Sequence, residues 1–472
     1  MITYSFDDRS KLSLYEQLYR HIKEDILNGT LTPGTMLPSK RAFSKQLCVS
    51  IVTVETSYNQ LLSEGFIYSL PRKGFYVSDI GANTSLAPSS PALSSQTNNS
   101  LTLNHTDAKD LTQSPGYFAD FSSNTTDPDS FPFTIWAKIT RQILAEDQHL
   151  LMTNPPFNGL LQLRSAIAEY LREFRGMQVH PDNIIIGAGT ETMYNLLIQL
   201  LGHDKLYATE DPGYEKIAKI LISNEVPHIK VPLDEYGIIP SYLEEHKIEI
   251  VHTTPSHHFP TGITMPIKRR HELLNWVSAD PNGNRYIIED DYDSEFRLLG
   301  RPIPPLYSID RSGHVIYMNT FTKSLASTIR VSYMILPEHL MQSYREKMSF
   351  YTCTVSTFEQ LTLALLISNG HYEKHINRMR TAFRKKRDFL LSAIRQSPLA
   401  PYCKIKEEQA GLHFILHLNI QKKRSDFLAA CEEKQIHITA VAPHSYMINY
   451  SSIPKERIEE AIRRLSDAAL GS

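Results

Sequence analysis

The sequence predicts a multidomain protein with a small α+β winged helix-turn-helix unit, a flexible linker and a large α/β unit. Helical spacing followed by a short alternating hairpin fills residues 1–78. Residues 79–116 are rich in Ser, Thr, Asn, Gln and Pro and contain no aromatic residue, so they cannot bury enough surface to order themselves. Within residues 117–472, short apolar runs alternate with helical patterns from Asn183 onward, which is typical of a mostly parallel sheet.

The composition excludes several classes of protein. The chain has 472 residues and a net charge of −2, so no overall field draws it to nucleic acid, and any basic surface must be local. Its four cysteines are widely spaced and form neither CxxC pairs nor a disulfide framework. The amino end lacks a secretion signal, and no apolar run approaches the about 20 residues of a membrane span. We therefore expect a cytoplasmic protein without a membrane partner.

The first unit begins with a helix and continues with two more. From Leu14 onward apolar residues fall on one helical face: Tyr15, Leu18, Tyr19, Ile22 and Ile26. Ser39 is placed to cap a helix over residues 40–46, and Ser50 to cap another that ends at Gly65. Two short helices joined by a tight turn predict a helix-turn-helix.

A basic hairpin follows the helices. Residues 66–68 and 75–77 alternate like strands on either side of a tip, residues 72–74, which can reach phosphates or a minor groove. Residues 31–78 contain five basic and two acidic residues, a local net charge of +3. The sequence favours a DNA-binding unit, with a winged helix that serves protein interaction as the alternative.

Four motifs carry a family resemblance: Leu37-Pro38-Ser39-Lys40-Arg41, Val49-Ser50, Leu61-Leu62-Ser63-Glu64-Gly65 and Arg72-Lys73-Gly74-Phe75-Tyr76-Val77. In this order they resemble the GntR-type winged helix. The resemblance implies that Lys40 and Arg41 approach phosphates and that Thr53 approaches base edges. Ile51 stands where the family usually has an arginine that contacts DNA. The implied set of residues that bind a promoter or operator is Lys40, Arg41, Ser50, Thr53, Arg72, Lys73 and Gly74.

In the large unit, Lys323 follows an apolar run, residues 314–319, that predicts a buried parallel strand. Open α/β sheets bind ligands beyond the carboxyl ends of such strands. A lysine desolvated there loses proton affinity and can attack an aldehyde. Thr320, Thr322 and Arg330 are the donors expected around a phosphate. Aldehyde and phosphate together indicate pyridoxal 5'-phosphate, and the alternative is a surface lysine near a helix start.

Two further motifs follow predicted strands. Gly189 and Thr190 lie in a turn of small residues that opens a helix over residues 192–201, whose free backbone N–H groups would hold a phosphate. A plain tight turn is the alternative. Tyr214 follows the next strand and could stack on a flat ring, whereas the alternative is an ordinary, partly buried tyrosine.

Two more strand ends complete the predicted site. His257 belongs to a shaped loop rich in Pro and Gly, where the neighbouring His258 invites a metal site, although no Cys or His partners stand at ligand spacing. Asp290 could hold a pyridinium nitrogen protonated, and Tyr292 could hydrogen-bond the hydroxyl of the ring. The alternatives for Asp290 are an acidic turn and a divalent-metal site.

The order of these motifs along residues 117–472 resembles the fold-type I aminotransferases. Joined to the winged helix, the whole chain resembles the MocR/GabR family of regulators. The resemblance implies a homodimer with large and small aminotransferase subdomains and an internal aldimine at Lys323. The predicted cofactor-binding set is Gly189, Thr190, Tyr214, His257, Asp290, Tyr292, Thr320, Thr322, Lys323 and Arg330, with Lys323 also catalytic and no metal ligand.

Three positions depart from the family pattern. Met447 stands where aminotransferases have the arginine that clamps a substrate carboxylate, and methionine cannot do this. Lys216 replaces an arginine of GabR-like members, and His258 replaces a common glutamine. These departures argue against an efficient transaminase and favour a regulator that senses pyridoxal phosphate itself, as PdxR-like regulators of vitamin B6 synthesis do. The alternatives are an amino-acid effector, an active aminotransferase with an appended DNA-binding domain, and a body without cofactor that only dimerises.

Overall fold

The structure is a computed structural model that describes residues 4, 6, 12–70, 73–78, 116–122, 130–298, 303–408 and 411–471. Its contacts divide the chain into two compact units, Met1–Asn104 and His105–Ser472. Arg72 of the predicted wing and the predicted linker, apart from Gly116, lie outside the described residues. No helix in the described ranges has the length and apolar character that a bilayer crossing needs.

The first unit contains a three-helix core and a small antiparallel sheet. Its elements are α1 (Leu14–Leu27), β1 (Met36–Leu37), α2 (Lys40–Leu47), α3 (Ile51–Ser63), β2 (Ile67–Leu70) and β3 (Gly74–Val77). The strand order is β1-β3-β2, so the predicted hairpin gains a third strand that the sequence analysis did not identify. The winged helix-turn-helix fold is confirmed.

Local sequence explains these helices. Ser39 accepts a hydrogen bond from the backbone N–H of Ala42 at 3.2 Å, and Ser50 accepts one from Thr53 at 3.0 Å, as N-cap residues do. One face of each helix is buried around a common core that includes Leu18, Ile22, Phe43, Val54, Tyr58 and Leu61. Tyr15 was predicted to share one helical face with Leu18 and Ile22, and it is 37% exposed at the start of the helix.

An eight-stranded sheet forms the centre of the second unit. Its strands are β5 (Ile184–Gly187), β6 (Tyr207–Asp211), β7 (His228–Asp234), β8 (Gly237–Ile238), β9 (Ile250–Thr253), β10 (Tyr286–Asp290), β11 (Val315–Thr320) and β12 (Ser332–Ile335), in the order β5-β12-β11-β10-β9-β6-β7-β8. Neighbouring strands in the run β11-β10-β9-β6-β7 are parallel to each other. Strand β12 lies between β11 and β5 and is antiparallel to both. The mostly parallel sheet is confirmed, although β12 was not predicted.

Helices cover both faces of this sheet. They are α4 (Phe133–Glu146), α5 (Gln148–Leu151), α6 (Leu161–Arg175), α7 (Thr190–Leu201), α8 (Glu215–Ser223), α9 (Pro240–Glu245), α10 (Ile267–Ser278), α11 (Leu306–Ile309), α12 (Glu338–Met348) and α13 (Thr357–Ser368). Successive strand residues point to opposite faces, so Ile184 and Ile186 pack with α4, α6 and α13, while Ile185 packs with α7, α8 and α12. The sheet is thus the middle of three layers.

A smaller subdomain lies toward the carboxyl end of the chain. Its remaining elements are β4 (Ala119–Asp120), α14 (His371–Gln396), β13 (Cys403–Lys406), β14 (His413–Leu418), α15 (Arg424–Glu433), β15 (Ile436–His437), β16 (Thr439–Ala442), β17 (Ser445–Asn449) and α16 (Ile458–Leu470). Four of the strands form an antiparallel sheet in the order β13-β14-β17-β16, and β4 pairs with β15. Phe414 of β14, Phe383 of α14 and Leu465 of α16 are buried in its core.

Candidate cofactor site and DNA-binding surface

A cavity opens at the edge of the large sheet where β10 and β11 end. Its free volume is about 750 Å³, with the open solvent at its mouth included. Eight of the ten residues predicted to bind the cofactor line it: Thr190, Tyr214, Asp290, Tyr292, Thr320, Thr322, Lys323 and Arg330. Because these residues come from five separate stretches of the chain, the shared strand edge is what brings them together.

Lys323 lies three residues beyond the end of β11 and is partly buried. Burial lowers the pKa of its amine to about 8, and the charge of the nearby Asp293 opposes this shift. An ordinary lysine with a pKa near 10.4 is almost wholly protonated at neutral pH, whereas this amine loses its proton far more readily. The arrangement therefore provides a nucleophilic amine at the cavity, and Lys323 is not a fully exposed surface lysine.

Donors suited to a phosphate lie at one end of the cavity. Helix α7 begins at Thr190, two residues earlier than predicted, and Gly189 before it has φ +87°. A Cβ on Gly189 would lie 2.2 Å from Nη2 of Arg330, so the close approach of the guanidinium requires glycine. The hydroxyls of Thr320 and Thr322, which also line the cavity, are 2.8 Å apart. Free N–H groups at a helix start, hydroxyls and a guanidinium together form an anion-binding set.

Glu191 shares this end of the cavity with two cations. Its carboxylate accepts hydrogen bonds from Nζ of Lys216 and, at 2.5 Å, from Nη2 of Arg330. Burial would raise the pKa of Glu191, but the Lys216 hydrogen bond and the charge of Arg330 hold it below its usual value. Glu191 was not among the residues predicted to bind the cofactor, although its place next to Gly189 and Thr190 in the predicted phosphate turn was a signal.

A second group of residues suits a flat, protonated ring. Asp290 ends β10 and is 9% exposed, and Nε2 of His252 lies 3.7 Å from its carboxylate. The ring of Tyr214 is 43% exposed and packs edge-on against Phe259, with centroids 5.8 Å apart. Burial and the charges of nearby carboxylates raise the pKa of Tyr292 well above its usual value, so its hydroxyl stays protonated. A buried carboxylate needs a cationic partner, which a pyridinium nitrogen supplies.

His257 and His258 lie behind this group and contact different carboxylates. Nδ1 of His257 is 2.7 Å from Asp293, while Nε2 of His258 is 3.3 Å from Glu210. His257 does not line the cavity and reaches it through Tyr292, whose hydroxyl is 3.3 Å from Nδ1. Asp293 and Glu210 were not predicted as partners of these histidines, because local spacing in the sequence does not indicate which histidine each carboxylate contacts.

On the first unit, the predicted DNA-contacting residues differ in availability. Arg41 and Lys73 are exposed. Lys40 forms an ion pair with Glu55 at 2.7 Å and lies 5.4 Å from the ring centroid of Phe75, so its charge is partly engaged within the unit. Gly74 has φ +121°, which suits glycine at the start of the second wing strand.

The start of α3 presents both polar and apolar groups. Ser50 is exposed, and its hydroxyl caps the helix. The same hydroxyl lies 2.8 Å from the hydroxyl of Thr53, which is partly buried. Ile51 and Val52 are 47% and 68% exposed at the same end. Exposed apolar groups at the start of such a helix can contact a thymine methyl group, a mode of readout that does not need arginine.

Comparison with known proteins matches both units. Residues 14–77 match the family of bacterial regulatory proteins named gntR, and residues 118–465 match the aminotransferase class I and II family. The uncharacterized HTH-type transcriptional regulator YdeL of Bacillus subtilis is 35% identical over 467 residues, 97% of each chain. The probable rhizopine catabolism regulatory protein MocR of Rhizobium meliloti is 27% identical and covers 98% of this chain and 95% of its own. The chain belongs to the MocR-like regulators.

Other relatives of this MocR-like regulator agree with the assignment. The pyridoxine biosynthesis transcriptional regulator PdxR of Corynebacterium glutamicum is 28% identical and covers 97% of this chain and 96% of its own. Among solved structures, the multiple substrate aminotransferase of Thermococcus profundus has a TM-score of 0.67 at 22% identity, covering 79% of this chain and 95% of its own. That likeness shows the fold-type I aminotransferase fold of the second unit.

The cofactor of a MocR-like regulator with this fold is pyridoxal phosphate, and the cavity fits it. The amine of Lys323, with its lowered pKa, suits the aldehyde. The carboxylate of Asp290, which is 9% exposed, suits the ring nitrogen. The turn at Gly189, where a side chain would collide with Arg330, suits the phosphate. Met447, in contrast, lies on β17 with 2% exposure, paired with Ile415 of β14, and does not line the cavity.

Proposed function

We propose that pyridoxal phosphate binds in this cavity and that its occupancy controls how the winged helix binds promoter DNA. The cofactor when bound supplies an aldehyde that an amine can attack and a ring that withdraws electrons. The observation that carries the proposal is the presence of Lys323, a partly buried amine with a pKa of about 8, in one cavity with donors suited to a phosphate and the carboxylate of Asp290. This arrangement supports covalent attachment through Nζ.

Each neighbour has a role in the proposal that follows from its chemistry. Asp290 would accept a hydrogen bond from the ring nitrogen and keep it protonated, because a buried carboxylate stabilises a cation. Tyr292, whose hydroxyl lies 3.3 Å from Nδ1 of His257, would hydrogen-bond the ring oxygen, and Tyr214 would stack on the ring. Arg330, with the hydroxyls of Thr320 and Thr322 and the start of α7, would hold the phosphate.

We favour pyridoxal phosphate itself as the sensed molecule, with genes of vitamin B6 synthesis as targets. In the part of the chain that the structure describes, the cations lining the cavity are Lys216, Lys323 and Arg330. Two of these contact Glu191, and Met447 offers no charge for a substrate carboxylate. The relative PdxR, described as a pyridoxine biosynthesis regulator, is consistent with this choice.

An amino compound is the second candidate effector. Lys216 and Tyr214 both line the cavity, which is open to solvent. A carboxylate that displaced Glu191 from Lys216 could bind there as a point-charge pair. The same geometry would serve an aminotransferase with an appended DNA-binding domain, and steady transfer of amino groups to a keto acid would identify it.

Control of DNA binding requires the cofactor to favour one arrangement of the protein over another. A ligand shifts such an equilibrium only by the difference in its affinity for the two arrangements. We propose that the regulator acts in the cytoplasm as a homodimer whose two winged helices contact paired half-sites. The occupied and unoccupied forms would then differ in how the two heads engage those half-sites.

A binding titration tests the proposal. A labelled upstream region is titrated with cofactor-free protein in the absence and presence of pyridoxal phosphate, and then with candidate amino compounds, using the Lys323→Ala protein as the control. A shift caused by pyridoxal phosphate alone, and absent in the control, supports sensing of the cofactor. If the shift requires an added amine, the second candidate is correct, and if neither compound changes binding, the proposed regulation is wrong.

A further inference from the structure

Glu191 occupies the place where an anion from outside would be expected to bind. It is the second residue of α7, and its two carboxylate oxygens are engaged by different cations, Lys216 and Arg330. A Cβ on Gly189 would lie 2.9 Å from Oε2 of Glu191, so the carboxylate lies directly against the turn that precedes the helix. An internal anion thus already occupies the groups that suit a phosphate, which are the helix start, the glycine turn and the guanidinium.

A phosphate that used Nη2 of Arg330 would compete with this carboxylate for the same donor. Glu191 is ionised at neutral pH, since its two cationic partners hold its pKa below the usual value despite the opposing effect of burial. Two anions a few ångströms apart repel each other, and the repulsion is larger in a partly buried site than in water. When a phosphate binds Arg330, the carboxylate of Glu191 must therefore move away, or its repulsion weakens the binding of the phosphate.

We propose that Glu191 is a resident competitor for the phosphate group and thereby sets the concentration at which the cavity fills. The inference rests on the proposed function, in which the cavity takes pyridoxal phosphate. When the site is empty, Glu191 is paired with both Arg330 and Lys216, and the apparent affinity falls in proportion to the fraction of protein in which Arg330 is free. Once displaced, the carboxylate keeps Lys216 as a partner and does not need to leave the cavity.

Such a competitor suits a protein that must respond to the level of its cofactor. An aminotransferase benefits from a site that is always filled, whereas a sensor must empty when the cofactor becomes scarce. A carboxylate that competes for one guanidinium weakens binding without removing any group that recognises the aldehyde or the ring. The alternative role for Glu191 is to hold Arg330 in the orientation that binds phosphate, and this predicts the opposite effect of its removal.

The test replaces Glu191 by glutamine and measures three probes on cofactor-free protein. Pyridoxal phosphate is titrated by absorbance, inorganic phosphate by competition and thermal shift, and pyridoxal, which lacks the phosphate, by absorbance. We expect E191Q to bind pyridoxal phosphate on the order of tenfold more tightly than the wild type, to bind inorganic phosphate more tightly as well, and to bind pyridoxal unchanged. A gain in affinity for pyridoxal phosphate and inorganic phosphate, but not for pyridoxal, would identify competition at Arg330.

Glu215→Gln is the matched control. Glu215 lies on the next helix, is exposed and pairs with Lys230, so its removal also deletes one carboxylate from an ion pair but leaves the cavity lining intact. Its affinity for all three probes should equal that of the wild type. The melting temperatures of both cofactor-free variants are measured alongside, so that any loss of folding is seen directly.

The outcomes separate this inference from the proposed function. Weaker binding of pyridoxal phosphate by E191Q overturns the inference in favour of an orienting role, and unchanged binding overturns it because the carboxylate would then not compete. An equal gain for pyridoxal also overturns it, because the effect would not act through the phosphate. If neither the wild type nor E191Q binds pyridoxal phosphate, the proposed function fails. In that case a gain for inorganic phosphate alone would still identify Glu191 as the competitor.

Discussion

Nη2 of Arg175 lies 2.6 Å from Oδ2 of Asp291, with side chains 2% and 0% exposed. The hydroxyl of Tyr317 donates a hydrogen bond to the same oxygen at 2.8 Å. Asp291 directly follows Asp290, and neighbouring residues of an extended chain point to opposite faces, so this contact anchors one carboxylate inside the protein while the other faces the cavity. Burial opposes the charge of Arg175, but the Asp291 carboxylate holds the pKa of the Arg175 guanidinium above its usual value.

Removing Arg175 should strongly destabilise the second unit. Arg175→Met leaves Asp291 buried without its cation, and we expect the free energy of unfolding to fall by about 3–5 kcal/mol. Both tryptophans, Trp136 and Trp276, lie in the second unit, so their fluorescence during urea unfolding reports on that unit. Arg172→Met on the same helix is the control, because its partner Glu169 is exposed and the free energy should not change measurably. Equal stability of the two variants would contradict the prediction.

Lys323 should be the residue that carries the cofactor covalently. Borohydride reduction of the protein with pyridoxal phosphate should attach the cofactor to the peptide that contains residue 323, as measured by mass spectrometry. The Lys323→Ala protein should show no attachment, while Lys219→Ala, which removes an exposed lysine from α8, should be labelled like the wild type. A yellow chromophore that survives in Lys323→Ala would mean that another amine is responsible.

Attachment of the cofactor should depend on pH according to the lowered pKa of Lys323. Below pH 8 the amine is mostly protonated and cannot attack, so the rate should rise roughly tenfold between pH 7 and pH 9 and then level off. The rate is measured by stopped-flow absorbance with a free lysine analogue as the reference. A rate that continues to rise beyond pH 10, as for the reference amine, would show that burial does not lower the pKa of Lys323.

Arg41 and Thr53 should affect DNA binding in different ways. Arg41→Ala should weaken binding to operator and unrelated DNA equally and flatten the slope of log affinity against log salt by about one unit, because an exposed guanidinium near a phosphate releases one counterion. Thr53→Ala should weaken binding to the operator only. Both effects are measured by fluorescence anisotropy at several salt concentrations. If Arg41→Ala changed the sequence preference and left the slope intact, Arg41 would be contacting bases.

The local sequence was sufficient to predict the helix starts, the strand ends and most of the residues that meet at the cavity. Ser39 and Ser50 cap helices as predicted, and Asp290 and Thr320 end strands of one sheet. These features were predictable because capping depends on the nearest few residues and because parallel strands place their carboxyl ends at one edge. The strand β12 was missed since its short apolar run follows the lysine loop without a helix between them, and it inserts antiparallel.

The sequence by itself thus determined the two kinds of unit, the family and the positions of Lys323, Asp290 and Arg330 along the chain. Only the tertiary structure decided which charges meet: Glu191 is 139 residues from Arg330, and Arg175 is 116 residues from Asp291. Spacing rules describe neighbours within a helix or strand, whereas an ion pair between distant residues depends on how layers pack and on the free energy of burying each charge.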